Sequence, residues 1–392
     1  MSPKLKFYIF IRKIWFVFGQ IVSVFMGGKK DDSKKILIVR TDNIGDFILF
    51  TPALKYIKRI FPEYQIHFLG NKSIFPLVKF SPEIDLFIPL DIKKFQFNFF
   101  YFVKNFLKFR KENYEKIIVP VYSRSITLDE LVKILNGYEK IGFDGDCNNI
   151  PEEIKFKNNN IYTKLLKLNI PLDKFEGYRY KEFLKFLGYN TEISIESLIP
   201  KINIPEYTFE KSLNLLKSFG WYGNKYVVVH PGAGMLYRIW PIENFIEIIR
   251  WLKNRGYEVV VSGSKDERWI VEKIKADLPF IIDIVGKVYL DDLLGILKKA
   301  DFYFGAETSV LHLSAALGTP TICLLGGGHF GRFFPYGDLK KNRIVYDKKM
   351  QCKNDNWKCA KKNLQQPAPC IKNIPIKEVK KEIEFLIRNL EV

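Results

Sequence analysis

The chain has 392 residues, of which 47% are hydrophobic and 27% charged. That balance excludes a disordered or fibrous polypeptide and leaves room for two or three domains, each with its own core. Lys and Arg outnumber Asp and Glu to give a formal charge of +19, which points to nucleic acid, a membrane surface or phosphorylated small molecules as partners, or equally to a lysine-rich proteome.

In chain order, residues 1–30 come first. Lys4, Lys6, Arg12 and Lys13 punctuate an apolar and aromatic stretch that contains Phe7, Phe10, Trp15, Phe16 and Phe18. Its uninterrupted part, 14–28, falls short of the ~20 apolar residues that span a bilayer, and no small-residue cleavage pattern marks a secretory signal. Basic and aromatic residues together predict a helix lying in a membrane interface, with an ordinary packed helix as the alternative. A charged linker at 29–35 follows.

From Ile36 onward strands and helices alternate. The pattern predicts strands at 36–40, 65–69, 116–120 and 140–143, with helices within 47–60 and at 95–111 and 128–135. Asn158, Asn159 and Asn160 read as a loop, 178–187 as a helix closed by Gly188, and 199–205 as an extended connection. The alternation then restarts. Strands are expected at 226–230, 258–262, 280–284, 302–304 and 321–325, and helices at 206–219, 241–255, 265–276, 291–299, 310–317 and 376–390. Strand–helix alternation in both halves predicts two doubly wound α/β domains at 31–200 and 201–375, with 376–392 as a closing helix.

Several strand ends carry polar and glycine residues suited to a ligand. After the first strand come Arg40, Asn43, Gly45 and Asp46. A carboxylate there can take the proton from an attacking hydroxyl, or simply cap a helix; Thr51 and Pro52 offer a competing helix start. This is no dinucleotide fingerprint, because no G-x-G-x-x-G follows the strand. After the strand at 226–230, Gly232, Ala233 and Gly234 can present backbone N–H groups to a phosphate, with Arg238 adding a planar positive charge. Ser264 and Asp266 stand where an acidic edge can hold ribose hydroxyls, or where a helix is capped. Glu307, Thr308 and Ser309 precede a helix bearing His312, with phosphate contacts expected from Thr308 and Ser309 and sugar contacts from Glu307.

No metal site is expected. Asp144 and Asp146 flank a Gly and read as a turn; His67, His230, His312 and His329 lack zinc spacing. Five cysteines are too sparse for a disulfide framework, and Cys352, Cys359 and Cys370 contain no C-x-x-C pair, so reduced cytosolic thiols are expected.

Together these residues resemble glycosyltransferase family 9, the ADP-heptose:lipopolysaccharide heptosyltransferases and their relatives. The resemblance rests on Arg40, Gly45 with Asp46, Pro52, His230 through Gly234, Trp240 with Pro241, Val285 with Gly286, His312, Gly318, Pro320 and the Cys352–Cys370 tail. It implies a GT-B fold, two Rossmann-like domains facing a central cleft, and an inverting, metal-independent transfer without a cofactor. Asp46 falls at the catalytic base and Gly232, Ala233, Gly234, Arg238, Thr308 and Ser309 at the donor phosphates. Ser264 and Asp266 would meet the ribose or base, Glu307 and His312 the sugar, and Arg40 and Asn43 the acceptor.

The resemblance also implies the partners: a nucleotide-diphosphate sugar, ADP-heptose among the candidates, and a lipid-linked anionic glycan such as a lipopolysaccharide core, but no nucleic acid. The enzyme would work in the cytoplasm, peripheral on the inner face of the cytoplasmic membrane. Two departures bear on the donor: Glu307-Thr308-Ser309 stands where Asp-[Ser/Thr]-Gly is common, and Arg238 where a Lys is usual. A non-hydrolysing sugar-nucleotide epimerase of GT-B shape and a basic nucleic-acid-binding protein are the alternatives.

Overall fold

The structure, a computed structural model, describes residues 3–24, 34–359 and 366–390; the expected linker falls outside them up to residue 33. Its contacts divide the chain into two compact units. One comprises Met1–Asn43, Ala53–Asn169 and Arg179–Glu192, the other Ile44–Pro52, Ile170–Tyr178 and Ile193–Val392.

The first unit holds a parallel six-stranded sheet: β1 (Lys35–Arg40), β2 (Gln65–Asn71), β3 (Leu86–Leu90), β4 (Asn113–Val119), β5 (Asn136–Phe143) and β6 (Lys164–Leu166), in the order β3-β2-β1-β4-β5-β6. The second holds β7 (Tyr226–His230), β8 (Glu258–Val261), β9 (Ile282–Asp283), β10 (Phe302–Ala306), β11 (Thr321–Leu324) and β12 (Asn342–Val345), in the order β12-β11-β10-β7-β8-β9. Counted within its own unit, each sheet runs 3-2-1-4-5-6, the doubly wound order of a nucleotide-binding fold. The central strands are continuous apolar runs because parallel sheets are covered on both faces: Ile36, Leu37, Ile38 and Val39 are fully buried, as are Val227, Val228 and Val229.

Three strands carry no such run, and the sequence pattern missed all three: β3, β6 and β12 are edge strands. β3 contains Pro89, which an edge tolerates because no ladder hydrogen bond is needed from it. The helix expected at 95–111 is two helices, Ile92–Phe97 and Phe99–Lys111, divided at Asn98, whose side chain accepts from the Tyr101 N–H. The loop expected at Asn158–Asn160 is instead the end of helix Glu152–Asn158 and a 3₁₀ turn, Asn159–Ile161.

Helix Ile44–Ile60 begins before Gly45, so Thr51-Pro52 is not its start, and Pro52 lies inside it. Proline has no N–H for the Ile48 carbonyl four residues back; the Thr51 hydroxyl donates to that carbonyl at 2.8 Å in its place. The helix passes from one unit's contacts to the other's at this residue.

Helix Pro3–Val24 packs on the first unit through one face. Arg12 is buried; its guanidinium donates to both Glu130 oxygens and to the Phe95 carbonyl, and lies 4.1 Å over the Phe102 ring. A Cβ at Gly19 would stand 2.9 Å from the Phe106 ring, so only glycine lets the helix approach this closely. The opposite face exposes Phe7, Phe10, Ile14, Val17, Phe18 and Ile21. Among the described residues no helix is long and apolar enough to cross a membrane. In the second unit, Val379, Ile383 and Leu386 of helix Ile376–Leu390 recur at helical spacing and join the core around Trp240, Phe245 and Phe304.

Candidate functional site

The second unit gathers most of the expected site. Asp46 lies in the first turn of helix Ile44–Ile60. This turn reaches helix Ser309–Ala316 because Gly45 has no side chain: a Cβ there would meet His312 Cδ2 at 3.0 Å and Ser309 Cα at 3.7 Å. Thr308 is the N-cap of that second helix, its side chain making no capping bond, and Ser309 is the first helical residue. The leading N–H groups of such a helix attract an anion.

Glu307 is buried just ahead of this helix. Its Oε2 lies 3.8 Å from Arg238 Nη2, and its Oε1 is buried with no hydrogen-bond partner. Burial raises its carboxyl to a pKa of about 7; the Arg238 charge opposes the rise and the Asp46 charge adds to it. One carboxyl therefore responds to both Asp46 and Arg238. His312 is pushed down to about 3 by burial and then by Arg238, so it is neutral at physiological pH. Its Nδ1 sits 3.3 Å from the Tyr336 hydroxyl and its ring stacks on Tyr336.

Arg238 closes a 3₁₀ turn, Leu236–Arg238, after the glycine loop. Its Nη2 donates to the Glu307 carbonyl, and its guanidinium lies 5.4 Å over the Trp357 ring. The guanidinium is held from two sides and three-quarters buried. In the loop itself Gly232 and Ala233 are buried and Gly234 is exposed. A Cβ at Gly232 would stand 1.9 Å from Glu267 Oε1, so any larger residue there would push the Glu267 side chain out of place.

Glu267, which the sequence pattern did not single out, organises the neighbouring edge. It accepts from the Ser264 N–H at 2.6 Å and from the Ser264 hydroxyl at 2.8 Å, and its Oε1 lies 3.9 Å from His230 Nε2. The Ser264 hydroxyl is thus committed to capping, while Asp266 is exposed. His230 is buried, its Nδ1 3.1 Å from the Ser262 hydroxyl. Tyr336 and Trp357 were also missed; aromatic residues in irregular segments carry no periodic signal.

In the first unit Arg40 is buried and engaged with Asp42, with the Pro120 carbonyl at 3.0 Å and with the Tyr180 hydroxyl at 3.0 Å. Asn43 is exposed. Asp144 pairs with Lys155 at 2.7 Å and Asp146 accepts from the Ser123 hydroxyl at 2.9 Å, so protein groups engage both carboxylates. Among the described residues, Cys352, Asp355 and Cys359 form a group whose donor atoms could hold a metal ion; the absence of a C-x-x-C pair had hidden it.

Comparison with known proteins bears on this geometry. The profile of glycosyltransferase family 9 (heptosyltransferase) matches residues 181–363. Lipopolysaccharide heptosyltransferase 3 of Escherichia coli is 26% identical over 293 residues, covering 72% of this chain and 80% of that protein. A glycosyl transferase family 9 structure from Veillonella parvula matches with a TM-score of 0.72 at 18% identity, covering 93% of this chain and 100% of that one. The E. coli ADP-heptose lps heptosyltransferase II matches with a TM-score of 0.67 at 16% identity, covering 91% and 100%. These structural likenesses bear on fold, and the two parallel six-stranded sheets are those of the GT-B class.

Proposed function

We propose, from the premise that this chain belongs to glycosyltransferase family 9 and is a heptosyltransferase-like glycosyltransferase, that it moves a sugar from a nucleoside diphosphate to a hydroxyl of a lipopolysaccharide core or similar lipid-linked glycan. The observation that carries the reading is Glu307: a buried carboxyl with one oxygen unpartnered, set between the charges of Asp46 and Arg238 at the head of helix Ser309–Ala316. A buried polar atom without a partner is rare and costly; a sugar hydroxyl is the donor that would satisfy it.

In this mechanism Asp46 accepts the proton of the acceptor hydroxyl as its oxygen attacks the anomeric carbon. The bond from that carbon to the β-phosphate oxygen breaks on the opposite face, so the configuration inverts. Arg238 and the N–H groups after Thr308 take up the charge that develops on the departing diphosphate. Because Arg238 is already held by the Glu307 carbonyl and Trp357, little reorganisation accompanies binding. The step itself needs neither a metal nor a cofactor. ADP-heptose is the favoured donor, on the likeness to heptosyltransferases.

The exposed apolar face of helix Pro3–Val24, with exposed Phe97 and Phe100, supports a peripheral position on an anionic membrane surface. Ring contacts tie the helix to this neighbouring segment at two points, Tyr8 to Phe97 and Phe18 to Phe99, which in turn meets Phe100.

The test is thermal stabilisation by ADP-, GDP-, UDP- and dTDP-sugars, followed by transfer to a lipid-linked acceptor with the best of them. A ligand held only by the native state raises the melting point by mass action. Stabilisation by an ADP-sugar and acceptor-dependent release of ADP are expected. Donor turnover without acceptor would make the protein an epimerase, and indifference to every nucleotide sugar would remove the transferase reading.

A further inference from the structure

We propose that Cys352, Asp355, Cys359 and Cys370 bind a thiolate-preferring divalent metal ion, zinc or ferrous iron, that fixes the loop carrying Trp357. The donor atoms of Cys352, Asp355 and Cys359 all lie within 4.8 Å of one another. Tetrahedral bonds of about 2.3 Å place thiolate sulfurs about 3.8 Å apart, so a short contraction completes that part of the site. Cys370 lies outside that 4.8 Å group but beside it, and would close in as the fourth ligand: it is buried, its sulfur accepts the Gly327 N–H at 3.4 Å, and it hydrogen-bonds with the Cys352 thiol. All four cysteines in or near the second sheet, these three and Cys323, are free thiols. Three thiols and one carboxylate select a soft or borderline ion over magnesium or calcium.

The backbone brings these groups together in an unusual way. Asn354, Asn356 and Trp357 all have left-handed φ angles, between 51° and 59°, a cluster that non-glycine residues adopt only where the surroundings impose it. The Asp355 carboxylate is oriented by the N–H groups of Trp357 at 2.8 Å and Cys359 at 3.0 Å. The loop then packs on the turn after β11. The Asn354 N–H donates to the Gly327 carbonyl at 2.7 Å and the Asn356 N–H to that of Gly328 at 3.1 Å. A Cβ at Gly327 would lie 2.5 Å from the Cys352 carbonyl oxygen, and one at Gly328 2.2 Å from the Trp357 ring. Trp357 in turn underlies Arg238. The role assigned to the ion is to hold this chain of contacts, without touching the reacting atoms.

The full-length protein, purified under reducing conditions without chelator, should carry about one zinc or iron per chain by elemental mass spectrometry, and that measurement tells the two apart. Cys352→Ser and Cys359→Ser should each lower the content at least tenfold. Should those variants fail to fold, the wild-type chain decides the matter. After removal of its metal, added Co²⁺ should give the near-ultraviolet thiolate-to-cobalt band. A metal-free purified protein that also gives no cobalt band, or a Cys352–Cys359 disulfide in non-reducing peptide maps, overturns the proposal. None of these readouts requires a sugar donor, so they stand or fall separately from the transferase reading.

Discussion

Strands β1 and β7 hold the same place in their two sheets, and each is followed within a few residues by an arginine or ends on one. Arg40, the last residue of β1, is 4% exposed and bonded in several directions to its own unit. Arg238, beyond β7, is a quarter exposed; its carboxylate neighbour sits 3.8 Å away with the second oxygen unpartnered. One strand order therefore supports two uses of the same side chain. A guanidinium whose donors are already taken up by protein holds a loop in place, and one kept near an unsatisfied carboxyl is prepared for a ligand. Arg124 in the first unit complicates this contrast: it is buried 3.6 Å from Asp129, with Nε and Nη1 lacking hydrogen bonds.

Substitutions can break or sharpen the comparison. The largest effect is expected from Asp46→Asn, which should lower kcat by roughly 10²–10⁴-fold while ADP affinity stays as in the wild type; an unchanged kcat would reduce Asp46 to a helix-terminal charge. Arg40→Ala should cost about 3 kcal/mol in denaturant unfolding, since it strips a buried network of its centre, and should leave ADP binding alone. If instead acceptor turnover falls with stability intact, Arg40 meets the acceptor. Arg238→Ala should show the reverse pattern. ADP affinity should fall by roughly 10–100-fold, the loss of charge-assisted hydrogen bonds, with adenosine affinity and unfolding little changed.

Glu307→Gln tests the field between the two charges. The folded carboxyl keeps its proton up to a pKa of about 7, against 4.5 ordinarily. Between those values the native state binds more protons than the unfolded one, so stability falls as pH rises from about 4.5 to about 7. The glutamine variant should remove this decline, which is on the order of 3 kcal/mol; identical pH profiles would show that Glu307 titrates normally. The smallest expected effect is at the surface. Replacing Phe7, Phe10 and Phe18 by Ser should abolish sedimentation with anionic liposomes and leave the melting point unchanged. Deleting the segment is a poorer probe, because it also removes Arg12 from buried Glu130.

How much of this was legible in the sequence depended on the kind of interaction. The central strands, helix Ile376–Leu390 and the glycine loop announce themselves by apolar runs, helical spacing and glycine. The edge strands β3, β6 and β12 do not: Pro89 interrupts β3, β6 is only Lys164–Leu166, and β12 sets Asn342 and Arg343 beside its two apolar residues. In the site, Asp46, Arg238 and Glu307 were singled out by their place after strands. Glu267 was hidden because its role is read from three partners on separate segments, Ser264, His230 and Gly232. Ser264 and Arg40 were visible as polar residues at strand ends, but only the folded chain shows that protein groups already occupy them. The N-terminal helix fits the packed alternative on one face, through Arg12, Trp15 and Phe16, while Phe7, Phe10 and Phe18 on either side of them are exposed, a division that composition alone does not reveal.

The repeated strand order has a consequence for how such enzymes diversify. Each sheet closes its own apolar core, so a change in the loops at one carboxyl edge removes no residue from the core of the other. Selection can then remodel the loops of one half of the gene while the other half drifts very little.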